Sequence, residues 1–178
     1  ACTHPTSFDP TTSSYQRLEW VGDAALCLAV RDWLFERFPL ASVGSLVTAE
    51  AAIVSNNLLA YLSLCTGIHK HLRHQDEVLP QLIERYEESV KSQRRRLWST
   101  DPPKAMADIV EAIFGAVFLD AGWEASQAAV LRVLSSVLSL FDYPSIDETN
   151  PGAMLSNPKH ELLAVSGELI KVKCKRSK

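Results

Sequence analysis

Apolar residues recur every three or four positions through most of the chain, which is the spacing of helices that each bury one face. This pattern predicts helices over 15–38, 43–64, 77–97, 104–121 and 123–140. The second helix is expected to break near Ser55. Ser13 and Ser14 are expected to cap the first helix with a side-chain oxygen, and Gly67 and Gly122 to end helices in the left-handed conformation. The sequence thus predicts a helical domain.

Prolines and polar residues mark a boundary after the last predicted helix. Residues 144–158 have the composition of a linker, with Pro144, Pro151 and Pro158 among them. We therefore predict a helical domain over 1–143, a linker over 144–158 and a short basic tail over 159–178. A tail of about twenty residues is too short to bury a core of its own. Because the chain begins with alanine, we expect a processed form or part of a longer protein.

Composition and charge narrow the classes of function. The chain has 178 residues, 47% of them apolar, and its 18 basic and 21 acidic residues give a formal charge of -3. A polyanion would therefore have to be bound by a local basic patch or a metal. Four cysteines without a CxxC pair argue against structural zinc and against a disulfide scaffold, and favour a reducing, intracellular location in cytoplasm, nucleus or organelle. No apolar run approaches the roughly 20 residues that span a membrane.

Two predicted helices carry acids in apolar surroundings. Glu19 and Asp23 are four residues apart, and Asp108 and Glu111 are three apart, so each pair shares a helix face. A buried carboxylate is costly unless it is paired or bound to a cation, which suggests that the two helices pack around Mg²⁺ or Mn²⁺. The simpler alternative is that these acids face water. A di-iron site is disfavoured, because such sites need a histidine three residues after a glutamate, and neither Glu19 nor Glu111 has one.

Four segments carry a resemblance to a known family. Residues 15–26, YQRLEWVGDAAL, resemble the signature of class III ribonucleases, which cut double-stranded RNA, and residues 103–112, PKAMADIVEA, resemble that family's second acidic motif. Residues 3–6, THPT, and 54–60, VSNNLLA, resemble two further elements of the family. The resemblance covers about residues 1–143 in the right order. The YQRLE opening at residues 15–19 and the PKAM run at residues 103–106 are most similar to the second ribonuclease domain of Dicer-like enzymes.

The resemblance implies an all-α ribonuclease III fold that dimerises and places two metal-dependent sites across one valley. It assigns Glu19, Asp23, Asp108 and Glu111 as ligands of Mg²⁺, for which Mn²⁺ would substitute. Lys104 falls on a lysine near that active site, where it would stabilise negative charge developing on the phosphate. Implied products carry 5′-phosphates, 3′-hydroxyls and two-nucleotide 3′ overhangs.

The resemblance also implies partners. Double-stranded RNA is the expected substrate, in small-RNA or other RNA processing, and the protein partner is a second copy or another ribonuclease III domain. Trp20 stands at the family's dimer contact, where phenylalanine is usual. Residues 157–163 resemble the first helix of the RNA-binding domain that normally follows. Candidate RNA contacts are the basic residues Arg94, Arg95, Arg96, Lys171, Lys173, Lys175, Arg176 and Lys178.

Several residues have a structural rather than a catalytic interpretation. His69, His71 and His74 are interpreted as a polar helix end rather than a metal cluster, because their spacing lacks a fourth ligand. Cys27 and Cys65, at apolar positions, are expected to be buried packing residues.

Two other functions remain open at this point. One is a non-catalytic relative that serves as a dimer partner or a ribosomal structural protein, although such relatives would be expected to lose one or more acids. The other is an all-helical nucleotide pyrophosphohydrolase, which also sets acidic pairs around Mg²⁺. The longer ribonuclease motif around the second acidic pair disfavours the latter.

Overall fold

The protein is all-helical wherever the structure, a computed structural model, describes it: residues 1–7, 13–92 and 101–138, together with Thr149. These described residues form five α-helices, and a short 3-10 helix follows the third of them. Their bounds are α1 Gln16–Arg37, α2 Val43–Ile53, α3 Asn56–Thr66, the 3-10 helix Ile68–His71, α4 Leu79–Ser92 and α5 Lys104–Leu138. Within these ranges no strand forms, and Thr3 and Arg73 make an isolated bridge. The predicted all-α fold is confirmed.

The predicted break in the second helix is confirmed, and its cause is visible. Ser55 adopts an extended conformation and its side chain accepts a hydrogen bond from the Leu58 amide, so it caps a new helix, α3. Ser42 caps α2 in the same way. At the other end of α3, Gly67 has φ 76° and ψ 10°, the predicted left-handed stop.

The predicted serine cap of α1 is wrong. Tyr15 occupies the N-cap position in helical conformation, without a side-chain cap, and Ser14 Oγ instead lies 3.3 Å from Gln16 Oε1. The start of α1 is fixed by tertiary contact: the Tyr15 amide donates to the Thr3 carbonyl at 2.8 Å. A remote backbone segment therefore replaces the local cap that the sequence suggested.

Helix α5 is the centre of the molecule. Every residue from Ala105 to Ala112 is buried, and the helix packs most extensively on α1 and next on α3. Gly122 has φ 83° and ψ -175°, so the predicted glycine break exists, with an extended rather than a left-handed helical ψ. The largest fully buried side chains of the core are Tyr15, Tyr86, Phe38, Leu26, Leu34, Ile53, Leu59, Leu62, Met106, Ile109 and Leu134.

Two glycines allow α1 and α5 to touch backbone to backbone. A Cβ on Gly22 would lie 1.8 Å from the Glu111 carbonyl oxygen, and one on Gly115 would lie 2.1 Å from the Leu18 carbonyl oxygen. No side chain larger than hydrogen fits either position at this separation. The crossing therefore brings the acidic turn of α1 directly onto the acidic turn of α5.

His69 lies at a polar helix end, as predicted, but it is not exposed to solvent. His69 is buried, with Nδ1 2.9 Å from the Ser63 carbonyl oxygen and Nε2 3.0 Å from Glu87 Oε1. Glu87 also pairs with Lys91 at 3.2 Å. Because both ring nitrogens face acceptors, His69 ties α3 to α4 as a buried polar link.

We expect His69→Ala to lower the free energy of unfolding by about 2 to 4 kcal/mol, because it leaves a cavity and removes the buried ring contacts to the Ser63 carbonyl and to Glu87. Urea unfolding followed by circular dichroism measures the change. His71→Ala, at an exposed position of the same turn, is the control and should change the stability little. Equal effects of the two variants would contradict the role assigned to His69.

The cysteine prediction is only partly right, because Cys27 and Cys65 are half-buried rather than fully buried. Three predicted features lie outside the described residues, apart from Thr149: the candidate RNA contacts Arg94–Arg96, the linker 144–158 and the tail 159–178. No single described helix is long and apolar enough to cross a bilayer; α2 and α3 reach that length and composition only as a pair bent by 41°.

Candidate active site

Three of the four predicted ligands converge where α1 crosses α5. Carboxylate oxygens of Glu19, Asp108 and Glu111 all lie within 4.8 Å of one another. Asp108 and Glu111 are more than nine-tenths buried, although they are ionisable residues on an apolar helix. Such a group of acids is unfavourable without a cation, since the charges repel each other and have lost most of their hydration.

Lys104 supplies one positive charge to this group. Its Nζ lies 2.8 Å from Glu19 Oε1 and 2.5 Å from Asp108 Oδ1, so the ammonium bridges the two helices. Desolvation opposes its charge, but hydrogen bonds to the two carboxylates outweigh it and raise the pKa of Lys104. The side chain remains 64% exposed, so this lysine stays charged while open to solvent.

Glu111 has no comparable partner. Its carboxylate makes no hydrogen bond with any residue in the described part of the chain. Burial raises the pKa of Glu111 to about 7, and the nearby charges of Asp23 and Asp108 add to the shift. A carboxylate that is buried, lacks a donor and points at other acids has the environment of a metal ligand.

Asp108 is held by two donors. Besides Lys104 on Oδ1, the Tyr15 hydroxyl donates to Oδ2 at 3.2 Å. Burial raises the pKa of Asp108, an effect that both hydrogen bonds oppose. Burial also raises the pKa of Tyr15, and the Asp108 charge adds to this, so the phenol remains a donor.

Asp23 is the fourth predicted ligand, and it lies outside the set of three. It is exposed one turn after Glu19, with Oδ1 3.7 Å from Cys27 Sγ. Its charge nevertheless contributes to the raised pKa of Glu111, so it faces the same region. The assignment of all four acids as ligands stays a prediction.

The residues present fit a divalent cation. Oxygen ligands from carboxylates are those that Mg²⁺ and Mn²⁺ prefer. Four carboxylates in this region are opposed by Lys104 alone among the cations that contact them in the described residues, which leaves an excess of negative charge. The histidines take no part, since the three acids are the only group of this kind found in the described ranges.

Comparison with known families shows which family the chain belongs to. The model of the Ribonuclease III domain family matches residues 16–122, which include every acid of the cluster and Lys104. The chain belongs to the ribonuclease III family. The family resemblance inferred from the four sequence motifs is therefore confirmed.

Relatives of this ribonuclease III chain include Dicer proteins. It is 33% identical over 156 residues to Endoribonuclease Dicer homolog 4 of Oryza sativa, a match covering 85% of this chain and 9% of that protein. It is 36% identical over 135 residues to Dicer-like protein 1 of Aspergillus oryzae, covering 70% of this chain and 9% of that protein. Ribonuclease 3-like protein 2 of Oryza sativa is 35% identical over 182 residues, covering 97% of this chain and 55% of that protein. The chain thus spans a small part of the length of the two Dicer relatives and about half the length of Ribonuclease 3-like protein 2.

Solved structures agree with the fold. Two structures of the nuclease domain of ribonuclease III from Campylobacter jejuni superpose with a TM-score of 0.59 at 25% identity. The matches cover 76% and 82% of this chain, and 82% and 84% of the respective bacterial chains. The all-helical ribonuclease III fold predicted from the motifs is confirmed.

Sequence reasoning missed two kinds of residue at this candidate site. Tyr15 belongs to the signature motif but was not assigned a function, because only the fold shows that its hydroxyl reaches Asp108, 93 residues away. Gly22 and Gly115 set the helix separation, and the available signal was a single glycine on each of two apolar helices.

Proposed function

We propose that this domain is a Mg²⁺-dependent endoribonuclease that cleaves double-stranded RNA, in small-RNA or other RNA processing. The observation that carries the proposal is the buried group of Glu19, Asp108 and Glu111, with Lys104 beside it and Glu111 left without a donor. A non-catalytic relative would gain nothing from keeping such a costly arrangement. The family match and the Dicer relatives support the choice of duplex RNA as substrate.

Each residue has a role that follows from its position. Glu19, Asp108 and Glu111 would hold the metal, and Asp23, whose charge acts on Glu111, would join them. When bound, divalent ions activate water and stabilise charge on the phosphate. The exposed Lys104 ammonium can pair with an incoming phosphate oxygen and stabilise the negative charge that develops there.

The substrate would be recognised by shape and backbone, as is usual for duplex RNA. In this proposal a two-fold pair of domains sets two sites across one duplex, and each site cuts one strand. The cuts leave 5′-phosphates, 3′-hydroxyls and two-nucleotide 3′ overhangs.

The exposed side of α1 supports the pairing. Trp20, Leu28 and Phe35 are exposed there at spacings of about two helical turns, and Trp20 is 79% exposed. An exposed apolar surface of this kind marks an interaction site. An open depression lies between α1 and α5, and it is lined by Leu18, Ala116, Val117, Leu119 and Asp120. One of the bacterial structures is described as bearing on a region involved in dimer formation, which fits a second copy as partner.

We expect the wild-type chain to be a dimer at micromolar concentration and Trp20→Glu to be a monomer, because a charge at the centre of the contact would be buried unpaired. Sedimentation velocity measures the state. Val78→Glu, at an exposed apolar position outside α1, is the control and should remain dimeric. A monomeric wild type would exclude the homodimer and favour pairing with another ribonuclease III domain.

The proposed activity is tested with a duplex RNA labelled in turn at the 5′ end of each strand. Incubation with the full chain and Mg²⁺, with an EDTA control, is followed by mapping of product ends on a denaturing gel. Staggered cuts in both strands that require metal would support the nuclease. Absence of cutting by folded, dimeric protein with Mg²⁺ or Mn²⁺ would favour a non-catalytic partner.

A further inference from the structure

Tyr15 joins the candidate metal site to the start of the chain. It is 2% exposed, and its hydroxyl donates to Asp108 Oδ2 at 3.2 Å. The other oxygen, Asp108 Oδ1, contacts Lys104, which also contacts Glu19. The two oxygens of one carboxylate therefore face different neighbours: Oδ1 faces the lysine that also contacts Glu19, and Oδ2 faces the tyrosine hydroxyl.

The Tyr15 ring cannot move independently of the surrounding structure. Its amide donates to the Thr3 carbonyl at 2.8 Å, and its own carbonyl accepts from the Glu19 amide at 2.8 Å. The His4 ring packs edge-on against it, with centroids 5.8 Å apart. Tyr15 is thus fixed from both sides, by the N-terminal segment and by the first turn of α1.

The N-terminal segment is itself anchored to the loop before α4. The His4 amide donates to the Arg73 carbonyl at 2.9 Å, and the Arg73 amide donates to the Cys2 carbonyl at 2.8 Å. Thr6 Oγ1 lies 2.8 Å from His4 Nδ1 and accepts from the Gln75 amide at 3.3 Å. These hydrogen bonds anchor the N-terminal segment, which in turn holds the Tyr15 backbone through Thr3.

From this arrangement we infer that Tyr15 is a positioning residue: its hydroxyl fixes the rotation of the Asp108 carboxylate so that Oδ1 is presented to the metal. The inference rests on the proposed function, since it concerns the same site. A carboxylate rotates readily about its last bond, and a hydrogen bond to one oxygen is a common way to orient a metal ligand. Without the hydroxyl, Lys104 is the remaining described donor to Asp108.

Tyr15→Phe tests the inference, because it removes the hydroxyl and keeps the buried ring. Binding of Mn²⁺ alone to the full chain is measured by the loss of the free-ion signal in electron paramagnetic resonance. We expect Tyr15→Phe to weaken Mn²⁺ binding about 10-fold, the lower end of the effect of removing a group that orients a metal ligand. The matched control is Tyr86→Phe, since Tyr86 is also buried and its hydroxyl has no partner within the described ranges.

Kinetics provide a second readout. With duplex RNA, the Mg²⁺ concentration for half-maximal cleavage should rise about 10-fold in Tyr15→Phe, whereas KM for RNA at saturating Mg²⁺ should stay unchanged. A merely structural role would lower the thermal midpoint without changing metal affinity in the folded protein. Comparing metal affinity with the thermal midpoint therefore distinguishes a positioning role from a purely structural one.

The outcomes are distinct. Weaker Mn²⁺ binding by Tyr15→Phe, with Tyr86→Phe like wild type, supports the inference. Wild-type Mn²⁺ affinity in folded Tyr15→Phe, or an equal loss in Tyr86→Phe, overturns it and leaves the proposed nuclease intact. A wild-type chain that binds no Mn²⁺ would remove both the metal-dependent function and the role of Tyr15.

Discussion

Glu111→Gln is expected to reduce Mg²⁺-dependent cleavage of duplex RNA by about 10²- to 10³-fold, because it removes a ligand charge worth several kcal/mol in the transition state. Glutamine keeps the size and shape of the side chain, so the fold should persist. The carboxylate has no donor among the described residues, and its replacement therefore breaks no hydrogen bond there. Single-turnover cleavage at saturating enzyme measures the loss.

The same variant should be at least as stable as wild type when metal is absent. Glu111 is buried beside other carboxylates, and burial raises its pKa to about 7, so its negative charge opposes folding at pH 8. Removing that charge relieves the repulsion. We therefore expect the thermal midpoint in EDTA to rise or stay equal, and the upward shift on adding Mg²⁺ to shrink relative to wild type.

Glu124→Gln is the matched control, since Glu124 is an exposed acid on the same helix. It should change neither cleavage nor the Mg²⁺-dependent shift. Full activity in Glu111→Gln would show that this carboxylate is not a ligand. Lower stability of Glu111→Gln in EDTA would contradict the view that the cluster is strained without a cation.

Helix positions could be predicted from the sequence because they depend on local period and local caps. The break before α3 followed from Ser55 and the end of α3 from Gly67, both of which act through neighbouring amides or their own backbone angle. The cap of α1 could not be predicted. The Ser14 hydroxyl donates a hydrogen bond to the Gln16 side chain instead of capping the helix. The Tyr15 amide donates to the Thr3 carbonyl, a contact that exists only after folding.

The candidate site shows the same division. The acidic pairs were found because helical spacing places their members on one face. Their convergence stayed a hypothesis without the α1–α5 crossing, and Asp23 shows that an acid on the same helix face as Glu19 can still be exposed. His69 shows the opposite case: a polar side chain near a helix end is buried because two acceptors, the Ser63 carbonyl and Glu87, meet there.

Gly22→Ala should have the largest effect on the fold. The added Cβ would lie 1.8 Å from the Glu111 carbonyl oxygen and 2.8 Å from the Gly115 amide nitrogen, both of them backbone atoms that no side-chain rotation can move. The helices must separate, which loosens the core around α5. We expect a loss of about 3 kcal/mol or more in the free energy of unfolding, at or above the usual cost of overpacking.

Gly44→Ala is the matched control for this test. Gly44 lies in α2, and a Cβ there would meet nothing within 4 Å, so the substitution should be neutral or should stabilise the protein by up to about 1 kcal/mol. Chemical unfolding of both variants measures the contrast. Equal stability of the two alanine variants would contradict the close contact of α1 with α5.

Separation of α1 from α5 should also impair the site, because Glu19 lies on α1 while Asp108 and Glu111 lie on α5. If Gly22→Ala remains folded at low temperature, we expect it to bind Mn²⁺ more weakly than Gly44→Ala. If it does not fold, Gly115→Ala probes the same crossing from the other helix, where the added Cβ would lie 2.1 Å from the Leu18 carbonyl oxygen. Loss of metal affinity in a folded variant would link helix separation directly to the geometry of the carboxylates, whereas unchanged affinity would show that the ligands tolerate a wider crossing.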